Sequence, residues 1–277
     1  MSIESAMVAA ATEHGKRSAR SLDWWLARPN LIRLISVAAF LLGWEYFGRD
    51  VDRLFLAVPS GIATAAVELI RDGSLLVALR STAYPFLIGM VITIIGGIVI
   101  GAAMAQWRLV EYILDPFVSA LYAIPRIALV PLIMLWAGLE VTGKVSILVS
   151  VAIFPVIINT FAGIRDVRGQ MLEIGYAYGA TKKQIFTKIV LPAAVPFILT
   201  GLRLAVGLGI IGIVIGEFFT AQSGLGGMIV NFANLFATAK LFVPIMVIGI
   251  MGVLLNEVVA AIERHLSGWR ELERNRV

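Results

Sequence analysis

The side chains that carry covalent or metal chemistry are scarce in this sequence. It contains no cysteine, which excludes disulfides and thiolate metal sites. Its two histidines, His14 and His265, lie near opposite ends of the 277-residue chain. An active site needs a nucleophile beside a base, or a metal-binding cluster, and no apolar segment holds either set. We therefore predict a protein that is not an enzyme and binds no metal or cofactor itself.

One string, GLEVTGKV at 138–145, comes close to a phosphate-binding loop. Val145 stands where that motif needs a serine or threonine for the metal. No strand pattern precedes the string, as the motif also requires. We predict no nucleotide binding at this segment.

A second string, GLGIIG at 207–212, matches the dinucleotide-binding fingerprint. It lies inside a long apolar run with no βαβ pattern around it. We interpret Gly212 and Gly216, and likewise Gly97 and Gly101, as pairs of small residues that let membrane helices pack closely.

The composition explains why such chemistry is absent. Of all residues, 59% are hydrophobic and 15% are charged, whereas a soluble domain carries about 25% charged residues. The apolar residues also form long runs, which indicates that lipid is the solvent. The formal charge of +5 follows membrane topology, as shown below, and no nucleic-acid partner is predicted.

The apolar runs predict six membrane spans of the length that crosses about 30 Å of hydrocarbon. Unpaired backbone groups are too costly in lipid for any spanning structure but a helix or a closed barrel. The predicted fold is therefore all-α and polytopic. The spans are 31–48, 84–106, 117–137, 145–164, 193–219 and 241–262.

The basic residues predict the orientation. With the N-terminus inside, fifteen of the 23 Lys and Arg residues fall in inside segments and six in outside segments, with Arg126 and Arg203 within spans. Inside segments of membrane proteins carry the excess of basic residues. Both termini and the 165–192 loop are thus predicted to lie in the cytoplasm.

The segments outside the spans complete the predicted organisation. Residues 1–30 form a cytoplasmic tail, 31–57 the first span with its outer connection, 58–265 the main transmembrane domain, and 266–277 a C-terminal cytoplasmic tail. Within the outer segment 49–83, Pro59 begins a turn, after which an apolar stripe predicts a surface helix. Its members are Ile62, Ala65, Ala66, Leu69 and Ile70.

The 165–192 loop is the most informative segment. Its sequence predicts two short helices separated by Gly179. Thr181 is positioned to cap the second helix, and Pro192 to end it as the chain turns into the fifth span. Such a pair forms a projection on which another protein can push.

The spacing of this loop resembles the EAA loop of binding-protein-dependent ABC importer permeases. In that pattern a glycine follows an acidic residue by six positions, an apolar residue follows the glycine by ten positions, and a Leu-Pro pair comes after one further residue. Here these are Glu173, Gly179, Ile189, Leu191 and Pro192. The two alanines of the pattern are replaced by Ile174 and Gly175.

Further blocks resemble the nitrate/sulfonate/taurine branch of these permeases, over about 58–265. They are YAIPRIALVPL at 122–132, Phe154-Pro155 with Asn159-Thr160 and Ala162-Gly163, TGLRL at 200–204, and AQSGLG at 221–226.

The resemblance implies a type I ABC importer permease fold and a homodimer that encloses one pathway for a small oxyanion or organic solute. It also implies two cytoplasmic ABC ATPases, which bind ATP and Mg, and an extracytoplasmic substrate-binding protein. The residues assigned to the coupling loop are Glu173, Gly179, Ala180, Lys182, Lys183, Ile189, Leu191 and Pro192. For Glu173 the alternative is an electrostatic role at a helix end, and for the two lysines a solvated face.

Several polar residues are candidates for the pathway or its gates. An arginine within a span is costly and suits oxyanion recognition, which directs attention to Arg126 and Arg203. The alternative is that both snorkel near cytoplasmic helix ends or stabilise a gate or dimer seam. Asn159 is expected to bond to a neighbouring helix, and Pro125, Pro131 and Pro155 to break helices. The remaining candidates, for an outer gate, a docking site or a polar re-entrant loop, are Glu217, Gln222 and Ser223.

Three other functional classes agree less well with the sequence than an importer permease does. An ion-coupled secondary transporter needs ionisable residues near mid-membrane and usually an internal repeat, but the predicted spans are nearly free of carboxylates and no repeat is evident. An intramembrane enzyme needs the constellations excluded above. A membrane scaffold would not require the Gly179 to Pro192 spacing.

Overall fold

The computed structural model describes residues 28–52, 54–167, 169–220 and 223–274, and every regular element in these ranges is a helix. This confirms the predicted all-α class. Most of the predicted tail at 1–30 lies outside the described residues. The chain divides into two compact units, Met1–Thr64 and Ala65–Val277.

The first unit contains helix α1, Pro29–Gly48, which matches the first predicted span. Most of its apolar side chains are exposed, as suits a helix surrounded by lipid. Near its end, the Glu45 carboxylate accepts hydrogen bonds from the backbone N–H of Ser60, at 3.0 Å, and from its hydroxyl, at 2.8 Å. Ser60 lies in the first turn of helix α2, Pro59–Arg71, where a carboxylate satisfies free N–H groups.

Helix α2 has the predicted amphipathic character. Ile62, Ala65 and Leu69 are buried, whereas Glu68 on the opposite side is exposed. Ile70 is also exposed, so the buried stripe is narrower than the sequence predicts.

Within the described residues, the second unit continues with nine further α-helices and two short turns of other helix types. These are α3 Ser74–Gln106, α4 Arg108–Ala123, a 3₁₀ turn Arg126–Leu129, α5 Val130–Ala137, α6 Val141–Arg165, α7 Gly169–Ala177, α8 Lys182–Ile185, a π-helical turn Phe186–Val190, α9 Leu191–Thr220, α10 Gly224–Asn234 and α11 Thr238–Arg274.

Five of the described helical segments are long and apolar enough to cross a membrane. A sixth span exists only if α4 and the segment Arg126–Ala137 count as one, and these two meet at an angle of 91°. The predicted span at 117–137 falls on this bent pair, and the predicted helix break at Pro125 is confirmed. Pro125 causes the break, because the residue before a proline is disfavoured in the helical region. Ile124 is accordingly extended, at φ −67° and ψ 136°.

Helix α6 forms the centre of the second unit and packs between α3 and α9. The core includes Phe86 of α3, Leu148 of α6 and Ile213 of α9, all buried. Both predicted glycine pairs lie at these contacts. A β-carbon on Gly97 would lie 2.6 Å from Val156 Cβ, and one on Gly212 would lie 3.0 Å from Leu148 Cα. The GLGIIG string is thus confirmed as a helix-packing surface.

Two predicted helix breaks at prolines are wrong. Helix α6 continues through Pro155. Pro192 does not end the second loop helix either, since the chain is helical from Lys182 to Thr220 over 39 residues. The π-helical turn explains this continuity: the N–H of Leu191 reaches back five residues to the carbonyl of Phe186, which places Pro192 in a first-turn position that needs no N–H donor.

Candidate functional site

The loop between α6 and α9 contains the predicted pair of helices, α7 and α8. Gly179 lies at the turn between them with φ +72°, a left-handed conformation that glycine adopts without steric cost. Its N–H donates to the carbonyl of Tyr176 at 2.9 Å, and the N–H of Ala180 donates to the carbonyl of Gly175 at 3.1 Å. These bonds close the end of α7 and fix the direction of the turn.

The second loop helix begins with the predicted cap. The N–H of Gln184 donates to the hydroxyl oxygen of Thr181 at 3.3 Å, and the N–H of Thr181 donates to the side-chain oxygen of Gln184 at 2.8 Å. This reciprocal capping box satisfies two free donors of the helix start. The turn is therefore defined on both sides by hydrogen bonds.

The two loop helices pack closely because residue 175 is glycine. A β-carbon on Gly175 would lie 2.8 Å from Cδ1 of Ile189 and 3.3 Å from Cγ1 of Ile185. Gly175 replaces an alanine of the motif, and this contact gives the replacement a packing role. Ile174, the other replacement, is 58% exposed.

The outer surface of the loop combines apolar and charged side chains. Tyr178 is 88% exposed and Tyr176 is 56% exposed. Glu173, Lys182 and Lys183 are exposed as well, and none of them takes part in an ion pair among the described residues. Exposed aromatic residues beside unpaired charges are typical of a protein-binding surface. Among the other predicted loop residues, Pro192 is exposed, and Ala180, Ile189 and Leu191 are half-buried.

An ion pair at the base of the loop was not predicted. Arg165, the last residue of α6, donates to both carboxylate oxygens of Glu111 in α4, at 2.7 and 2.8 Å. Its guanidinium also lies 5.1 Å from the ring centroid of Phe161. The sequence did offer one signal for this pair, because Arg165 and Glu111 carry opposite charges and lie in segments that are both predicted to be cytoplasmic. The pair joins the start of the loop to α4.

Arg126 supplies the hydrogen-bond donor that α6 lacks at Pro155. A proline at this position lacks the N–H that would bond to the Val151 carbonyl one turn earlier. The guanidinium of Arg126 supplies that donor, at 3.2 Å. A second N–H of the guanidinium donates to the carbonyl of Tyr122 at 3.0 Å, and the charge lies 5.4 Å from the ring of Phe154. Arg126 itself lies just beyond the C-terminal end of α4, and its side chain contacts α6 near the middle of that helix, at Val151.

The contacts of Asn159 and Arg203 in the structure differ from those that the sequence suggested. The amide of Asn159 donates at 2.8 Å to the carbonyl of Pro155 in its own helix, so the expected bond to a neighbouring helix is wrong. Gly201 of α9 packs beside it, since a β-carbon there would lie 2.9 Å from Asn159 Cβ. Arg203 pairs with Glu263 of α11 at 2.7 Å. This pair joins α9 to α11.

Glu217 is fully buried at the opposite end of α9 from the loop. One carboxylate oxygen accepts from the hydroxyl of Thr82 at 2.8 Å, and the other accepts from the N–H of Gly226 at 2.8 Å. The hydroxyl oxygen of Thr82 in turn accepts from the N–H of Leu225 at 2.8 Å. Through these hydrogen bonds, Glu217 of α9 connects α10 to α3.

A buried lysine neighbours this carboxylate. Lys144 of α6 is 5% exposed, and its ammonium lies 3.8 Å from Glu217 Oε1. The ammonium donates to the hydroxyl of Ser223 at 2.8 Å. Ser223 therefore forms a polar cluster with Thr82, Lys144 and Glu217. Gln222, the remaining candidate, lies outside the described residues.

The predicted site residues therefore separate into four places. The loop residues lie together between α6 and α9. Arg126 and Asn159 donate to the carbonyls of Val151 and Pro155 near the middle of α6, and Arg203 of α9 pairs with α11. Glu217 and Ser223 lie at the end of the bundle opposite the loop. In the described part of the chain, no group of three or more His, Asp or Glu residues is arranged to hold a metal ion.

Comparison with known proteins identifies the family to which the chain is similar. Residues 94–270 match the model of the family described as binding-protein-dependent transport system inner membrane component. The chain is 33% identical over 239 residues to the putative aliphatic sulfonates transport permease protein SsuC of Bacillus subtilis, covering 86% of this chain and 87% of that protein. It is 32% identical to the formylaminopyrimidine transport permease protein ThiX of Halalkalibacterium halodurans, with 92% and 99% covered. It is 30% identical to the taurine transport system permease protein TauC of Escherichia coli, with 92% and 96% covered.

Proposed function

Because the chain belongs to the family of binding-protein-dependent transport system inner membrane components, we propose that it encloses the pathway of an ATP-driven importer and is worked through the 165–192 loop. As an ABC importer permease, it is a multi-pass membrane protein that contains several apolar helices. The proposal concerns its partners, its orientation and its solute.

The hinged loop is the observation that carries this proposal. Its turn is fixed by Gly179 and by the Thr181 cap, and its second helix continues without interruption into α9. A force applied to the exposed surface of the loop is therefore transmitted directly to a membrane helix. The exposed Tyr176 and Tyr178 offer a partner an aromatic surface of the kind enriched in protein interfaces.

The partner proposed for this surface is an ABC ATPase subunit on the cytoplasmic side, which binds ATP and Mg in place of this chain. ATP favours one arrangement of the ATPases only because its affinity for the two states differs. Movement of two loops, one from each copy of a homodimer, switches the pathway between inward-facing and outward-facing states. A substrate-binding protein delivers the solute on the other side of the inner membrane, and both termini lie in the cytoplasm.

The proposed solute is a small organic molecule that carries an anionic group, such as a sulfonate or taurine. The names of two relatives, for aliphatic sulfonates and for taurine, support this class. A third relative is named for formylaminopyrimidine, so the family also contains permeases named for heterocyclic solutes.

The loop proposal is tested with Gly179→Val and its matched control Gly169→Val. A β-carbon meets no atom within 4 Å at either position, and only Gly179 has a positive φ. The first variant therefore strains the turn by about 1–2 kcal/mol, whereas the second leaves it intact. The chain is reconstituted with the ATPase and binding protein from adjacent reading frames, and solute uptake per ATP hydrolysed is measured.

We expect Gly179→Val to insert in the membrane and bind the ATPase but to lose most uptake per ATP. Gly169→Val should retain it. Normal uptake by Gly179→Val with the ATPase bound would show that the loop is not the lever.

A further inference from the structure

A cavity of about 510 Å³ opens at the end of the bundle that contains Glu217, opposite the 165–192 loop. Its size suits a small organic molecule. It lies among the first turns of α3, the start of α6 and the segment just before α10. The polar residues that line it include Arg80, Ser81, Tyr84, Glu140, Lys144 and Ser223.

Two opposite charges line this cavity without pairing. Arg80 and Glu140 are both exposed, and neither takes part in an ion pair within the described residues. Opposite charges that border one cavity and do not neutralise each other complement a molecule that carries both signs. A simple anion would gain from Arg80 but would also meet the carboxylate of Glu140.

Lys144 adds a buried donor to the same wall. Its ammonium has three N–H donors, and among the described residues one of them binds a hydroxyl, that of Ser223. The nearby Glu217 carboxylate already accepts from Thr82 and Gly226, and it lies 3.8 Å from the ammonium. A buried ammonium is costly unless its donors are used, so its remaining donors suit an oxyanion in the cavity.

We propose that this cavity binds a small zwitterion, with a sulfonate or carboxylate group at Arg80 and Lys144 and an ammonium group at Glu140. The inference rests on the proposed function, because it assigns a solute class and a contact point to the same pathway. The hydroxyls of Ser81 and Tyr84 supply neutral hydrogen bonds along the remaining wall.

The test compares two probes that differ only in the ammonium group. These are 2-aminoethanesulfonate and ethanesulfonate, and their binding to the full-length permease in nanodiscs is measured by saturation-transfer NMR. No ATPase or binding protein is present, so the result does not depend on whether the loop acts as a lever. The variants are Glu140→Gln and Arg80→Gln. The matched controls are Glu257→Gln and Arg71→Gln, which remove exposed charges that do not line the cavity.

We expect the wild-type protein to bind the aminosulfonate about tenfold more tightly than ethanesulfonate, which corresponds to one charge contact of about 1.4 kcal/mol. Glu140→Gln should abolish this preference and leave ethanesulfonate binding unreduced. Arg80→Gln should weaken both probes about tenfold. No binding, equal binding of both probes by the wild type, or a preference that survives Glu140→Gln would overturn the proposal.

Discussion

Ile189 packs directly over Gly175, so closely that a β-carbon on the glycine would lie 2.8 Å from Ile189 Cδ1. Through this contact the two sides of the loop pack against each other across the turn at Gly179. The atom in the way is the end of a flexible side chain, so a small substitution displaces it easily and a branched one does not.

Substitutions at Gly175 should therefore separate by size. We expect Gly175→Ala to retain most uptake per ATP, whereas Gly175→Val forces the helices apart and costs about 1–3 kcal/mol of packing. Uptake and ATP hydrolysis by the reconstituted complex measure the effect. Equal activity of the two variants would contradict the packing role of Gly175.

The contact between Arg126 and Val151 predicts a specific interaction between two substitutions. Arg126→Met leaves the Val151 carbonyl without a donor and should cost about 1.5–3 kcal/mol, measured by chemical denaturation in mixed micelles. Pro155→Ala restores a helical N–H at that carbonyl, so Arg126→Met should cost at least ~1 kcal/mol less in that background.

Arg203→Met is the control for this pair of substitutions. It removes an ion pair between side chains that are 50% and 37% exposed, which is worth at most about 1 kcal/mol. Its cost should be the same with Pro155 or Ala at position 155. If the effects of Arg126→Met and Pro155→Ala on the free energy of unfolding are additive, the guanidinium does not replace the missing N–H of Pro155.

The buried Glu217 carboxylate should be among the least tolerant positions. Glu217→Gln removes the negative charge that lies 3.8 Å from the buried Lys144 ammonium, so a buried positive charge is left without its countercharge. We expect a loss of about 2–4 kcal/mol, measured by chemical denaturation as above. Glu257→Gln, at an exposed position, should be nearly neutral, and a similarly small loss at Glu217 would contradict the account.

The Arg165–Glu111 pair should be recoverable by exchange of the two charges. Arg165→Glu alone places two carboxylates together at the base of the loop, and we expect weaker coupling of ATP hydrolysis to uptake. Combining it with Glu111→Arg restores opposite charges and should restore most of the coupling. Failure of the double variant to recover would show that the pair does not position the loop.

The sequence was sufficient where periodicity and spacing carry the information. The helical class, five of the spans, both glycine pairs, and the loop turn with its Thr181 cap follow from such patterns. The prolines mark the limit of such patterns, because several of the described helices continue through an internal proline, as α6 does at Pro155. At Pro155 the donor is Arg126, 29 residues earlier in the chain. No local signal reveals such a donor.

The candidate site shows the same division. The loop residues are close together in the sequence, and the resemblance to the EAA pattern assigned them as one group. Glu217 was predicted at the correct end of its span, but its bonds to Thr82 and Gly226 depend on how three helices meet. The cavity beside it likewise combines Arg80, Glu140 and Lys144 from distant segments, and only the folded chain brings them together.

The most direct test of the central claim uses the absence of cysteine from the sequence, which makes any introduced thiol unique. Tyr178→Cys places that thiol at an 88% exposed position on the loop. A membrane-impermeant maleimide should label it in inside-out vesicles and not in intact spheroplasts, and bound ATPase should protect it. Labelling from the outer face of spheroplasts, or full labelling in the presence of bound ATPase, would contradict the account.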